Sequence, residues 1–274
     1  MPVPRSIYYR RRIVAAGALV LLVVGAVALV IARIPGPPGC TVTLATAPDR
    51  VLEYPLTVEQ ADNAATVAGV GRKLGMPDHA VTVAIATAMQ ETGLRNLPHG
   101  DRDSLGLFQQ RPSQGWGSEA QLMDTVYAST AFYQRLRQQP NWTRLEVTDA
   151  AQLVQRSATP LAYARWEPMA RAAAAALTGE AEASLACRNL KLAPASPGTL
   201  VRLAERELGT AALSGAQPPE RGRALANWLV GHAARAGVDR VSANGSSWTA
   251  EAGEWAEEGP PDGQLRLRQS PPDE

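Results

Sequence analysis

Glu91 is the residue of this chain best placed for acid chemistry. It stands near the end of an apolar run, Val81, Val83, Ala84, Ile85, Ala86, Ala88 and Met89, which predicts a helix over roughly 79–92 that is apolar on nearly every side. By the three-and-four spacing it shares the face of Ala84 and Ala88, where another apolar residue would be expected. A carboxyl partly withdrawn from water resists ionisation, and a carboxylic acid that keeps its proton near neutral pH is what general-acid catalysis needs. The periodicity fits a second reading as well: Glu91 emerges into solvent at a fraying helix end and pairs with Arg95.

The stretch after this helix, Gly93 to Gly117, is dense in Gly, Pro, Asp and Ser, with one apolar island at Leu105-Gly106-Leu107-Phe108. It predicts an extended loop or small hairpin, and long irregular loops usually serve function. Asp101 and Asp103 lie here, either as partners for an acid or as loop caps bonded to their own backbone. His79, His99 and His232 have no metal spacing with the cysteines or with one another, so neither metal nor cofactor is expected.

The elements that must position these residues begin with Ile13 to Ala32, apolar or glycine throughout and, at about 20 residues, long enough to cross a bilayer. Arg5, Arg10, Arg11 and Arg12 precede it, which keeps residues 1–12 cytoplasmic, makes 13–34 a membrane anchor and exports the rest. A cleaved signal peptide is the alternative, disfavoured by run length and by Ile34-Pro35-Gly36-Pro37-Pro38 as a cleavage site. Residues 35–55, rich in Pro, Gly and Thr, read as a linker. Thr57 and Gln60 form a capping-box signature for a helix that Gly75 and Pro77 stop, Asp78 is expected to cap the helix of Glu91, and helical patterning returns through 118–136, 150–157 and 168–177.

The expected fold class is therefore mainly α: a helical domain over 56–187 after one N-terminal transmembrane helix. A linker over 188–198 leads to a small C-terminal α+β module over 199–268, with a hairpin at Asn244-Gly245, and a disordered tail over 269–274. Export makes Cys40 and Cys187 candidates for a disulfide bracketing the central segment, worth on the order of 5 kcal/mol in the chain-entropy account, against the alternative of two unrelated thiols.

Ala86-Thr-Ala-Met-Gln-Glu91-Thr-Gly-Leu-Arg-Asn96 followed by Gly100-Asp-Arg-Asp-Ser-Leu-Gly-Leu-Phe-Gln109 resembles the catalytic helix and hairpin of goose-type lysozymes and lytic transglycosylases. The run Gln110-Arg-Pro-Ser-Gln-Gly-Trp-Gly117 and the later Gln155, Ser157, Pro160 and Tyr163 are similar to exported lysozyme-like proteins of GC-rich Gram-positive bacteria. Thr92 stands where those families commonly have Ser, and Phe108 where they have Met.

The resemblance covers roughly 56–177. It implies a lysozyme-like domain that cleaves the bond between N-acetylmuramic acid and N-acetylglucosamine in peptidoglycan, with Glu91 as the acid and Asp101 in the position of an assisting carboxylate. The second assisting position of goose-type lysozymes falls near Arg111, which favours the lytic transglycosylase ending, in which the sugar's own hydroxyl closes a 1,6-anhydro ring. Gln109, Trp116 and Tyr163 are the expected substrate contacts, since an amide and a phenol can bond N-acetyl groups and an indole can stack on a sugar face. Each could equally be packing.

A formal net charge of +1 with no basic tract interleaved with aromatics excludes nucleic acid as an expected partner. The expected partners are glycan strands, together with the membrane through the N-terminal helix. Rival readings are a non-catalytic peptidoglycan-binding or envelope scaffold protein, or an accessory anchor whose C-terminal module is the working part.

Overall fold

The computed structural model describes residues 36–47, 49–157 and 159–271. The expected tail at 1–12 and membrane span at 13–34 lie outside the described residues. Among the described residues no helix is long and apolar enough to cross a membrane.

The supposed linker over 35–55 is instead a β-hairpin, β1 (Gly39–Ala47) and β2 (Arg50–Leu56). Its alternation explains it: Cys40 and Val42 point into the core while Thr41 and Thr43 flank them, and Cys40 pairs with Leu56 across the ladder. Further along, β3 (Leu185–Arg188) adds to the other edge of β1, making a three-stranded antiparallel sheet in the order β2-β1-β3. Cys40 faces Cys187 in this register and the two form a disulfide closing 147 positions.

The helices follow. Helix α1 (Val58–Lys73) starts on the predicted capping box, with Thr57 Oγ1 accepting from Gln60 N at 3.1 Å and Gln60 Oε1 from Thr57 N at 2.8 Å. Helix α2 (Asp78–Thr92) is capped by Pro77 and not by Asp78, which becomes its first residue, and Gly93 ends it in the left-handed region at φ 64. Its apolar residues are buried on all sides, and it packs along α6 (Glu167–Thr178), where Ala170 and Ala172–Ala176 let the backbones approach. Around this pair lie α3 (Glu119–Leu122), α4 (Thr125–Arg137), α5 (Val147–Gln155) and a 3-10 segment at Pro160–Trp166.

Helices α7 (Pro197–Leu208), α8 (Pro219–Gly231) and α9 (Ala233–Ala236) follow β3, and a second antiparallel sheet takes the order β4-β8-β5-β6-β7. Its strands are β4 (Gly215–Ala216), β5 (Val238–Ala243), β6 (Ser246–Thr249), β7 (Trp255–Glu257) and β8 (Gln264–Gln269). β5 and β6 flank the predicted Asn244-Gly245 turn.

The expected fold class is overturned. The chain is not mainly α: two antiparallel sheets accompany the helices, and a fold class argued from helical periodicity alone missed the first because Pro and Gly flank its strands. From Pro38 the chain forms one compact unit, and the segment 199–268 lies within it. Helix α8 lies so close to α1 that a Cβ at Gly231 would stand 2.9 Å from the Ala65 Cβ. Asn227 bridges three elements, donating to Ala176 O at 2.9 Å and accepting from Leu185 N at 3.0 Å. Trp248 and Trp255 donate to the carbonyls of Cys187 and Leu185, so the second sheet is fastened to β3. The start of the supposed tail is part of the fold, because Gln269 ends β8 and Ser270 N donates to Gly237 O at 2.7 Å, while 272–274 lie outside the described residues.

Candidate active site

Glu91 occupies the last turn of α2 and is half-buried at the edge of a cleft of about 700 Å³. The cleft is made by α2, the loop and hairpin of 97–116, α4 and the end of α5. Helix α1 fixes the chain direction just after Glu91: Gln60 Nε2 donates to Gly93 O at 2.9 Å and the buried Asn63 donates to Leu94 O at 2.8 Å. Arg95 turns back to Thr92 O, and no ion pair joins it to Glu91 among the described residues, so the fraying-end reading does not describe this helix.

The apolar island of the loop forms a small hairpin, with Leu105 bridged to Gln110 and Gly106 to Leu97. Gly106 has φ 75, and a side chain there would overlap the Leu122 carbonyl, so only glycine suits the site. Thr92 joins helix to hairpin: its Oγ1 lies 2.9 Å from Leu107 O and 3.0 Å from Ala88 O and accepts from Arg95 N. The buried Gln110 donates to Ala128 O at 3.1 Å and anchors the hairpin on α4.

Two side chains hold the Glu91 carboxyl. The Tyr163 hydroxyl donates to Oε1 at 2.9 Å, and Gln155 hydrogen-bonds the carboxyl while its Nε2 also donates to Phe108 O at 2.9 Å. Burial raises the Glu91 pKa above the usual carboxylate range and outweighs these two bonds, which favour the ionised form. Burial, and then the charge of Glu91, raises the Tyr163 pKa as well, so the phenol stays a donor. Next to Glu91, Gln90 Oε1 accepts from Arg165 and from Trp166 Nε1 at 3.0 Å, fastening the 3-10 segment to the end of α2.

Glu91, Asp101, Gln109 and Trp116 all line the cleft. Asp101 is almost fully exposed, 3.9 Å from Arg102 Nε, with no bond that aims it at Glu91. Asp103 takes the capping role, bonded to Arg111 Nε and to Ser113 N, both at 2.7 Å, and these bonds hold its carboxyl well below the usual range. Gln109 folds over Gly100 with Nε2 at 3.3 Å from the carbonyls of His99 and Gly106, so it braces the loop. One face of the nearly buried Trp116 is covered by the Arg135 guanidinium, 4.2 Å from the ring centre, and that face is closed to a sugar. Tyr163 does not line the cleft: fully buried, it supports Glu91 from behind.

Gln155, Arg135 and Arg156 also line the cleft, beyond the residues that the sequence points to. The signal for Gln155 was present in its spacing to Tyr163, whereas the arginines are brought in by two different helices. Among the described residues no three His, Cys, Asp or Glu side chains converge in a way that could hold a metal ion. The arrangement suits proton donation by one protected carboxyl into an open, polar cleft. No protein-family model and no curated protein matches the chain.

Proposed function

We propose that the chain is a peptidoglycan glycosidase in which Glu91 protonates the oxygen of the bond between N-acetylmuramic acid and N-acetylglucosamine. One observation carries this reading: a carboxyl with a raised pKa faces a cleft large enough for sugar units, held by Tyr163 and Gln155. The resemblance of 86–109 to the catalytic helix and hairpin of goose-type lysozymes and lytic transglycosylases names the bond and the substrate.

The lytic transglycosylase ending fits the surroundings better than hydrolysis. Hydrolysis uses a second carboxylate, fixed at about 5 to 5.5 Å as a nucleophile or about 6.5 to 9.5 Å to admit water. Asp103 is committed to Arg111 and Ser113, and Asp101 is exposed without a bond that orients it toward the cleft. The Cys40–Cys187 disulfide is consistent with work in an oxidising compartment outside the cytoplasm.

The test is digestion of purified peptidoglycan by the full chain, with products identified by mass spectrometry. Release of muropeptides is expected, and Glu91→Gln should abolish it with an unchanged circular dichroism spectrum. Equal release by the variant would remove Glu91 from the chemistry, and no release by the unaltered chain would favour a non-catalytic peptidoglycan-binding role.

A further inference from the structure

The cleft holds more positive charge than its own carboxylates neutralise. Arg102, Arg111, Arg135 and Arg156 line it together with Glu91 and Asp101. Arg111 is bound by Asp103, and Arg102 stands within ion-pair reach of Asp101. Arg135 and Arg156 meet no carboxylate among the described residues.

Arg135 is held by its surroundings, whereas Arg156 is exposed at the rim of the cleft and is placed there by its backbone. Arg135 is half-buried on α4, its guanidinium stacked on the Trp116 ring, and the Trp116 carbonyl accepts from Tyr127 Oη at 3.2 Å. Stacking occupies the face of a guanidinium and leaves its N–H edge, the part that matches a carboxylate, unused. Arg156 follows Gln155 and holds the left-handed C-cap of α5 at φ 52, a conformation that costs energy for a residue other than glycine. That turn leads the chain out of α5 directly beside the residue that binds Glu91.

These charges do not serve Glu91 itself. A cation against that carboxyl would favour its ionised form and defeat an acid, and the groups that bond it are Gln155 and Tyr163.

We infer that Arg135 and Arg156 form an anion subsite in the cleft that takes a carboxylate carried by the glycan strand, away from the bond that Glu91 would cleave. The strand's identity rests on the glycosidase reading, while the anion subsite stands on the arginines alone. The carboxylate comes from the lactyl group of a peptide-free muramic acid or from a stem peptide. Either source makes this cleft select charged strands over neutral N-acetylglucosamine polymers.

Equilibrium binding to the full chain carrying Glu91→Gln tests this, with three probes: peptide-free strands, the same strands with their carboxyls reduced to alcohols, and peptide-bearing strands. Reduction should weaken binding about tenfold, the scale of one charge-assisted hydrogen bond. Arg135→Gln with Arg156→Gln should bring the charged strands down to the affinity of the reduced ones, while Arg135→Lys with Arg156→Lys keeps part of the difference and shows that the site is still folded. Added salt should weaken binding of the charged strands alone. Preference for peptide-free strands assigns the lactyl carboxylate, and preference for peptide-bearing strands assigns the stem.

Equal binding of charged and reduced strands would overturn the subsite, as would glutamine variants that keep the charge preference. Charge preference together with no muropeptide release by the unaltered chain would sink the glycosidase reading and leave the subsite standing; release by the unaltered chain without charge preference would do the reverse.

Discussion

Tyr163 Oη donates a 2.9 Å hydrogen bond to Oε1 of Glu91 from a fully buried position, across 72 positions of sequence. The acid of the cleft is thus oriented from behind by a phenol that no solvent reaches. Gln155, at the other end of the same segment, bonds the same carboxyl.

Tyr163→Phe should act as the loss of a positioning residue. Removing one hydrogen bond to a charged group should lower turnover about tenfold. The bond favours the ionised carboxylate, so its loss raises the Glu91 pKa further and moves the alkaline limb of the pH–activity profile to higher pH. A profile that falls in height without moving would show that Tyr163 acts only through packing.

Asp101→Asn should leave both turnover and products unchanged, and the products should end in 1,6-anhydro rings. The reason is the exposure of Asp101 and its loose contact with Arg102. Mass spectrometry of the digest decides it: reducing ends that disappear in Asp101→Asn would make the reaction hydrolytic, with Asp101 as the assisting carboxylate.

A buried charge cluster should set the pH range of stability. Both ring nitrogens of the fully buried His232 face carboxylates, Asp62 at 2.6 Å and Glu207 at 2.8 Å, and Arg235 Nη2 also stands 3.1 Å from Nδ1. Glu207 also accepts from Thr66, Trp228 and Arg235, and Arg235 pairs with Asp62 at 2.7 Å. Burial alone would push the imidazole pKa down, but Glu207 and then Asp62 outweigh it and raise it above 6.5. Burial would push Glu207 up, but His232 and then Arg235 hold it below 4.5.

The raised histidine stabilises below its ordinary 6.5 and loses this as pH rises through its folded value. The lowered glutamate stabilises above its ordinary 4.5 and loses this as pH falls through its folded value. The Tm is therefore expected to be highest between about 4.5 and 6.5 and to decline on either side. His232→Ala, which removes one of the partners of the buried Glu207, should cost about 3–5 kcal/mol and flatten the alkaline decline. An alkaline decline that persists in this variant would assign it to other groups.

Reduction of Cys40–Cys187, or Cys40→Ser with Cys187→Ser, should lower stability by about 2–5 kcal/mol, since the bond closes 147 positions. Because the two cysteines face each other across β1 and β3, the first protection lost in hydrogen exchange should be that of β1 and β2. Unchanged exchange there on reduction would mean that the ladder holds the hairpin without the disulfide.

The local signals in the sequence determined much of this protein. Thr57 and Gln60 form the capping box they spell, Gly93 ends the helix of Glu91, Asn244-Gly245 turns a hairpin, and the run around Ala84 and Ala88 is buried. Each depends on residues within a few positions of one another, where backbone geometry and helical period are enough. The alternation of Cys40 and Val42 with threonines was also legible as a strand, but Pro and Gly on either side disguised it as a linker.

Only the tertiary structure decided what touches what. Tyr163 reaches Glu91 from a buried position, Arg135 closes one face of Trp116, and Asp103 pairs with Arg111 while Asp101 stays in solvent. The merging of residues 199–268 with α1, through Gly231 against Ala65 and His232 between Asp62 and Glu207, belongs to the same class. A side chain's partner is set by which elements pack together and at what distance, and composition and period carry no record of that.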